Sequence, residues 1–511
     1  MLWLALHLPQ LSLEAFCATL APEQRARPVA LVALHTVQAV NAVAAEQGVR
    51  AGMKRATALA LAADLQLAEA DPRRDATALR AVAHAALAFT PSVTLHGVQT
   101  VLMEVQGSLR LFGGLSALHR RLLSALAPLG HRVQVAAAPT AMGAVVLAQW
   151  HPAGRGDLVT GAHATQMPAL QALLDDAPVW HLGPGREHWE ALQGMGLHTL
   201  ADLRALPRAG LARRFGAALL DELDRALGAL PDPRRWLTLP ARFDSRLELF
   251  HRAENAEQVL QGAQVLLAQL VAWAQGRRVR IAAFTLRMLH ERQRQALTAP
   301  TELQVDLAEP ALDPAHLQLL LRERLARVTL AAPTLELQLR CQQAVAAPAP
   351  NAELFPTHAS VAEGFTRLLE HLRARLGEEQ VLRVLPVADH RPERATRTVA
   401  AQGEAAVIPP ATLAAVQAAA QSLLPLQRPA WLLPEPLPLA EADDASPQLE
   451  GRPLQLLSGP ERIEAGWWDG GTVARDYFVA QDHDGSLLWV YRGRLPPAPG
   501  EATWFLQGRF G

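Results

Sequence analysis

The residues that invite a chemical reading begin with two glycine turns. His181-Leu-Gly-Pro-Gly-Arg-Glu-His-Trp189 and Leu192-Gln-Gly-Met-Gly-Leu-His-Thr-Leu-Ala-Asp-Leu203 place glycines two apart between short apolar helical stretches. A helix-hairpin-helix of this kind directs backbone N–H groups outward, so Gly183, Gly185, Gly194 and Gly196, with Arg186, could receive a DNA phosphate. A plain αα-hairpin uses the same glycine turn, and both readings stand on these residues alone. Arginines follow at Arg277, Arg278, Arg280, Arg287, Arg292 and Arg294, then at Arg322, Arg324 and Arg327. They are either solvated faces and turns or a phosphate-tracking surface, for which the planar guanidinium is well suited. Asp482-His-Asp-Gly485 has the look of a calcium-loop fragment, but no ligand series follows. Asp-Gly favours the positive φ of a tight hairpin, and the turn is the expected reading. Lys54 is the only lysine and no GK[ST] triplet occurs, which excludes a Walker-type P-loop.

These residues must be held by several cores, since 511 residues exceed what a single core supports. The formal net charge is −1, so any nucleic-acid face has to be local. Cys17 and Cys341 belong to no metal-spaced cluster and fit a reducing, cytoplasmic setting. The apolar start, Met1 to Leu8, has no basic region ahead of it and is broken by His7, Pro9, Gln10 and Glu14. A buried first strand is expected there rather than a signal peptide. No uninterrupted apolar run reaches the roughly 18 residues of a membrane span.

Along the chain, strands are expected at 1–8, Val29–Leu34, Val98–Gln106 and His131–Ala137. Helices are expected at Ala39–Leu67, Asp75–Ala88, Leu115–Leu126 and Thr140–Trp150, giving an α/β region that ends near residue 165. A small helical region covers about 168–235. From 241 to 345 the order Arg242–Phe250, Ala256–Gln275, Arg278–Leu289, Thr301–Leu307, Pro314–Val328 and Thr334–Gln343 spells β-α-β-β-α-β. A helix is expected at Val361–Leu376, followed by Val384–Arg394. Residues 428–453 are proline-rich and acidic, which suggests a linker of polyproline II character. Residues 455–510 are dense in aromatic side chains.

This order resembles the palm and fingers, thumb and little finger of the Y-family translesion DNA polymerases. Val40–Met53, VNAVAAEQGVRAGM, is similar to the fingers segment ending in a GVxxGM turn, and Met103–Gly113 to the palm strand and turn after the second catalytic motif. His181–Leu203 is similar to the thumb hairpin. The resemblance implies a multidomain α+β chain with palm and fingers at 1–165, a helix-hairpin-helix thumb at 166–238 and a β-α-β-β-α-β little finger at 239–346.

It also implies which groups chemistry would need. A polymerase of this type holds two Mg²⁺ ions on carboxylates, to activate the primer hydroxyl and steady the leaving phosphate. The positions of its DxD fall on His7 and Pro9, and those of its Asp-Glu pair on Gln99 and Thr100. Its triphosphate contacts fall on Ala42, Ala45 and Ala141. Glu104 is acidic but matches a neighbouring, usually structural position. Neither metal nor cofactor is expected, and no catalysis.

Asp389-His-Arg-Pro-Glu393, Ser458-Gly-Pro-Glu-Arg-Ile-Glu-Ala-Gly-Trp-Trp-Asp469, Arg475-Asp-Tyr-Phe478 and Leu488-Trp-Val-Tyr491 are similar to C-terminal motifs of the ImuB family, degenerate Y-family relatives. That resemblance implies a scaffold in damage-induced, error-prone translesion synthesis. Its partners would be primer-template DNA, the sliding clamp, an ImuA-like RecA-related protein and an error-prone C-family polymerase. A linker at 347–358 would carry the clamp peptide, with Leu354 and Phe355 filling an apolar pocket and Asn351 in the usual glutamine slot. A helical extension would span 359–427 and a proline-rich linker 428–453. An aromatic interaction region at 454–511 would use Trp467, Trp468, Tyr477 and Trp489.

Overall fold

A computed structural model describes residues 1–150, 163–291, 299–346, 358–401, 428–443, 445–496 and 502–510. The chain forms two compact units, Met1–Thr357 and His358–Gly511.

The first unit opens with seven strands: β1 (Trp3–His7), β2 (Val29–Ala33), β3 (Thr36–Val40), β4 (Gln66–Glu69), β5 (Val93–His96), β6 (Thr100–Glu104) and β7 (Gln134–Ala138). The expected first strand is present, and its apolar run is explained by position. β1 lies inside an antiparallel sheet of order β5-β6-β1-β7, covered on both faces. Leu4, Leu6, Val101 and Met103 face helices Pro72–Ala86 and Leu115–Leu126. Trp3, Ala5, Leu102 and Ala136 face helix Ala141–Trp150, and the five short helices between Gly183 and Ala226 share that core. The expected helix at Ala39–Leu67 is instead the end of β3, helices Ala42–Glu46 and Arg55–Leu61, and β4. Gly48 (φ 90°) and Gly52 (φ 86°) interrupt the alanine run, and β4 pairs in parallel with β2 in a separate sheet, β3-β2-β4. Val98–Gln106 proves to be the second arm of a hairpin, turned at Gly97 (φ 59°).

The β-α-β-β-α-β order is present as β8 (Phe243–Ala253), helix Ala256–Arg277, β9 (Val279–His290), β10 (Thr301–Ala311), helix Pro314–Leu325 and β11 (Thr334–Ala346). The sheet runs β10-β9-β11-β8. Helix Ala256–Arg277 also packs against helix Pro72–Ala86, so closely that a Cβ on Gly276 would lie 2.5 Å from the His84 carbonyl oxygen.

The second unit departs most from expectation. Helix His358–Leu376 is present, but it is followed by an antiparallel hairpin of β12 (Leu382–Pro386) and β13 (Thr396–Ala400), where a helical extension was expected. Residues 428–453 are no linker: they supply β14 (Trp431–Glu441), β15 (Pro447–Leu449) and β16 (Arg452–Pro453). With β17 (Gln455–Ala465), β18 (Val473–Gln481), β19 (Leu487–Gly493) and β20 (Trp504–Arg509) they form a sheet ordered β16-β15-β14-β20-β19-β18-β17. Pro434, Pro436 and Pro438 alternate, so their missing donors fall on one side of β14. That side meets β15 only at Ala440 and Glu441, while β20 pairs along the other. Asp482–Gly485 is the expected turn between β18 and β19, with Gly485 at φ 90°.

Candidate functional site

The register of β1 against β6 decides what meets at the end of the first sheet. His7 lies opposite Thr100, and the His7 Nδ1 and Thr100 Oγ1 are 3.0 Å apart in a hydrogen bond. The next backbone N–H, of Leu8, donates to the Gln99 carbonyl at 2.8 Å. Three residues more than ninety positions apart in sequence are thereby brought together. Burial, with a smaller contribution from the Arg186 charge, pushes the His7 imidazole down to about 4. His181 is held down to about 4 by burial, then by Arg186 and His7. At neutral pH the place presents neutral imidazoles, a buried hydroxyl and an amide beside one guanidinium. Such groups bind Mg²⁺ poorly, because that ion leaves its water shell for charged oxygen ligands. Among the described residues no group of three or more His, Cys, Asp or Glu side chains is arranged to hold a metal.

Glu104 sits at the opposite end of β6, facing Trp3. Four strand residues separate it from Thr100, about 13 Å. Its Oε1 accepts from the N–H groups of Leu2, at 3.3 Å, and Gln106, at 3.0 Å, which ties down both strand ends. Ala42 and Ala45 lie on the short helix capped by Asn41, whose Oδ1 accepts the Ala44 N–H at 2.9 Å. Ala141 is buried at the start of its helix.

The glycines of the hairpins have packing duties. The Gly183 N–H donates to Glu222 Oε2 at 2.9 Å, so this donor at the turn is engaged within the chain. Burial raises the Glu222 carboxyl above its usual range. Gly185 is buried, and a Cβ there would lie 2.2 Å from the Val179 carbonyl oxygen. Gly194 ends a helix, and Gly196 turns the chain at φ 76°. Arg186 acts electrostatically on His7 and His181, a contact that its place in the turn did not announce.

Arg277 and Arg278 are exposed where helix Ala256–Arg277 meets β9; Arg278 closes it in the left-handed conformation, at φ 56°. Arg277 Nη1 donates to Pro240 O at 3.4 Å, and Arg280 pairs with Val345 on the sheet. Arg287 is bound within the sheet, to Gln338 at 2.9 Å and Glu302 at 2.6 Å. Arg292 and Arg294, and the peptide containing Asn351, Leu354 and Phe355, lie outside the described residues.

In the second unit the four aromatic candidates divide. Tyr477 and Trp489 are 1% and 2% exposed and stack with ring centroids 4.1 Å apart, which makes them core. Trp467 and Trp468 are 70% and 55% exposed. The sequence reading overlooked Arg391, whose buried guanidinium underlies that pair. Its signal was the strict alternation of charge in Asp389-His-Arg-Pro-Glu393.

Residues 12–149 match the impB/mucB/samB family. The Protein ImuB sequences of two strains of Caulobacter vibrioides are each 30% identical over 487 residues, covering 91% of this chain and all of the relative. Among solved structures, "Dbh Ternary Complex (substrates partially disordered)" aligns at 15% identity with a TM-score of 0.37, and "Crystal Structure of DinB from Sulfolobus solfataricus" at 16% and 0.37. Each covers 68% of this chain and 100% of its own.

Proposed function

This chain belongs to the ImuB family, and on that premise we propose that it is a non-catalytic, Y-family polymerase-like scaffold for error-prone synthesis across damaged DNA. The observation that carries the reading is the bonded pair His7–Thr100, with Gln99 beside it, where an active relative would hold carboxylates. A hydroxyl committed to a neutral imidazole offers no charge to a metal. Glu104, the nearest acidic candidate on the same strand, is occupied with backbone N–H groups at the far end.

DNA is held through phosphates by the thumb hairpins and by the Arg277, Arg278 and Arg280 corner. Residues 1–165, 166–238 and 239–346 act as palm with fingers, thumb and little finger. The Asn351–Phe355 peptide engages the sliding clamp, and the second unit gathers the RecA-related protein and the C-family polymerase. This assembly of partners rests on family membership.

Primer extension by the purified chain, with Mg²⁺ or Mn²⁺, tests the central claim. No template-dependent incorporation is expected; incorporation abolished by Glu104→Ala would overturn it in favour of an active enzyme with displaced ligands. DNA binding should weaken steeply with salt and be indifferent to sequence, as phosphate contacts dictate. Replacing Leu354 and Phe355 by alanine should remove clamp binding and leave DNA affinity unchanged. Unaltered clamp retention would retire that peptide.

A further inference from the structure

The loop between β17 and β18 is built around one arginine. Arg391 is 2% exposed, and its guanidinium donors are engaged on three sides. Nε and Nη2 donate to Asp389 at 3.0 and 2.7 Å, Nη1 and Nη2 to Asp469 at 3.0 and 2.6 Å, and Nη1 to the Gly471 carbonyl at 3.1 Å. Gly466 (φ 87°) lets the loop close on this group: a Cβ there would lie 2.1 Å from Gly471 O and 2.6 Å from Arg391 Nη1. From this base Trp467 and Trp468 project edge to face, ring centroids 4.7 Å apart, with the guanidinium 5.6 Å from the Trp468 ring centre. Two indoles so exposed oppose the hydrophobic effect in the isolated chain.

We propose that Arg391 is a positioning residue that presents Trp467 and Trp468 as a preformed anchor for an apolar pocket on a partner protein. The inference rests on the scaffold reading above and assigns its protein-binding contact to one loop. A rigid aromatic pair loses little freedom on docking, and large aromatics in desolvated pockets dominate interface energies. Charge favours a protein over single-stranded DNA. Around the indoles the guanidiniums of Arg391 and Arg394 are matched by the carboxylates of Asp389 and Asp469, and Arg394 is itself bound to Asp469 at 2.7 Å. A stacking platform for nucleic acid instead carries surplus positive charge along the backbone path.

The test uses the full-length chain with the purified RecA-related protein and, separately, the purified C-family polymerase. Replacing both Trp467 and Trp468 by alanine should weaken binding to one of them at least about 30-fold, with DNA and clamp binding unchanged. Arg391→Lys and Asp469→Asn should each weaken the same interaction about 5- to 10-fold, and should have no further effect in the chain lacking both indoles. Asp469→Asn decides if Arg391→Lys fails to fold. Unchanged partner binding by the Trp467/Trp468 variant overturns the anchor, as does weakening by the Arg391 and Asp469 variants that persists without the indoles. Loss of oligonucleotide binding instead of protein binding overturns it in favour of a nucleic-acid platform. Failure of the unaltered chain to bind either protein overturns both the anchor and the scaffold reading; binding that ignores the indoles overturns the anchor alone.

Discussion

His7, His84 and His181 are buried histidines, each pushed down to about 4 from an ordinary value near 6.5, chiefly by burial and then by a neighbouring arginine. Between pH 6.5 and 4 the unfolded chain takes up protons that the folded first unit refuses, so folding stability is full above 6.5 and falls as the pH drops. Thermal or denaturant unfolding should show a loss on the order of 1–2 kcal/mol for each group between pH 7 and 5. His7→Asn should flatten that dependence, and an unchanged pH profile would refute the role given to His7. Asp389 and Asp469 run the other way: hydrogen bonds from Arg391 hold both carboxyls below their usual range, Asp389 at about 2. Their contribution is full above about 4 and disappears only in stronger acid. Gly185 tests the packing reading of the hairpin. With 2.2 Å between a new Cβ and the Val179 carbonyl oxygen, Gly185→Ala should destabilise the first unit by about 2–3 kcal/mol, measured by denaturant unfolding.

At the scale of elements, the β-α-β-β-α-β order could be read in advance because its period-2 and period-3.6 patterns alternate cleanly. Proline misled the reading of β14. A polyproline segment and a strand with one unpaired side tolerate the same Pro-x-Pro-x-Pro spacing, and what separates them is whether the residues between are covered. Leu439 is 5% exposed, among Leu454, Trp504 and Leu506. Leu439→Ala should therefore lower the stability of the second unit by about 2–4 kcal/mol, where a solvated linker would register almost nothing. The alanine-rich stretch after β3 failed as a helix for a related reason. Helical propensity there is interrupted by two glycines at positive φ, and β2 offers an edge for Gln66–Glu69.

At the scale of the molecule, the second unit is a single folding entity, although Asp389–Glu393 and β17–β20 are far apart in sequence. Arg391 crosses to Asp469, and Glu393 accepts from Arg475 at 3.0 Å and from Gln507 at 2.9 Å. A chain cut after residue 427 would keep Arg391 and Glu393 without their partners, which is costly for groups so enclosed. It should be degraded by protease up to about residue 357, whereas a chain ending at 357 should be as resistant as the intact first unit. Equal resistance of residues 358–427 in both contexts would refute this joint fold.

The amino-acid sequence by itself determined the block order of the first 346 residues, the central buried strand and the types of side chain available at the site. Periodicity, turn chemistry and the absence of carboxylates at particular positions are local properties. Tertiary structure alone decided that His7 bonds Thr100, that Arg186 bears on two imidazoles, and that Glu222 takes the hairpin's N–H. It also separated Tyr477 and Trp489, inside, from Trp467 and Trp468, outside. Those outcomes depend on sheet register and on contacts between distant segments, where burial changes what the same side chain can do.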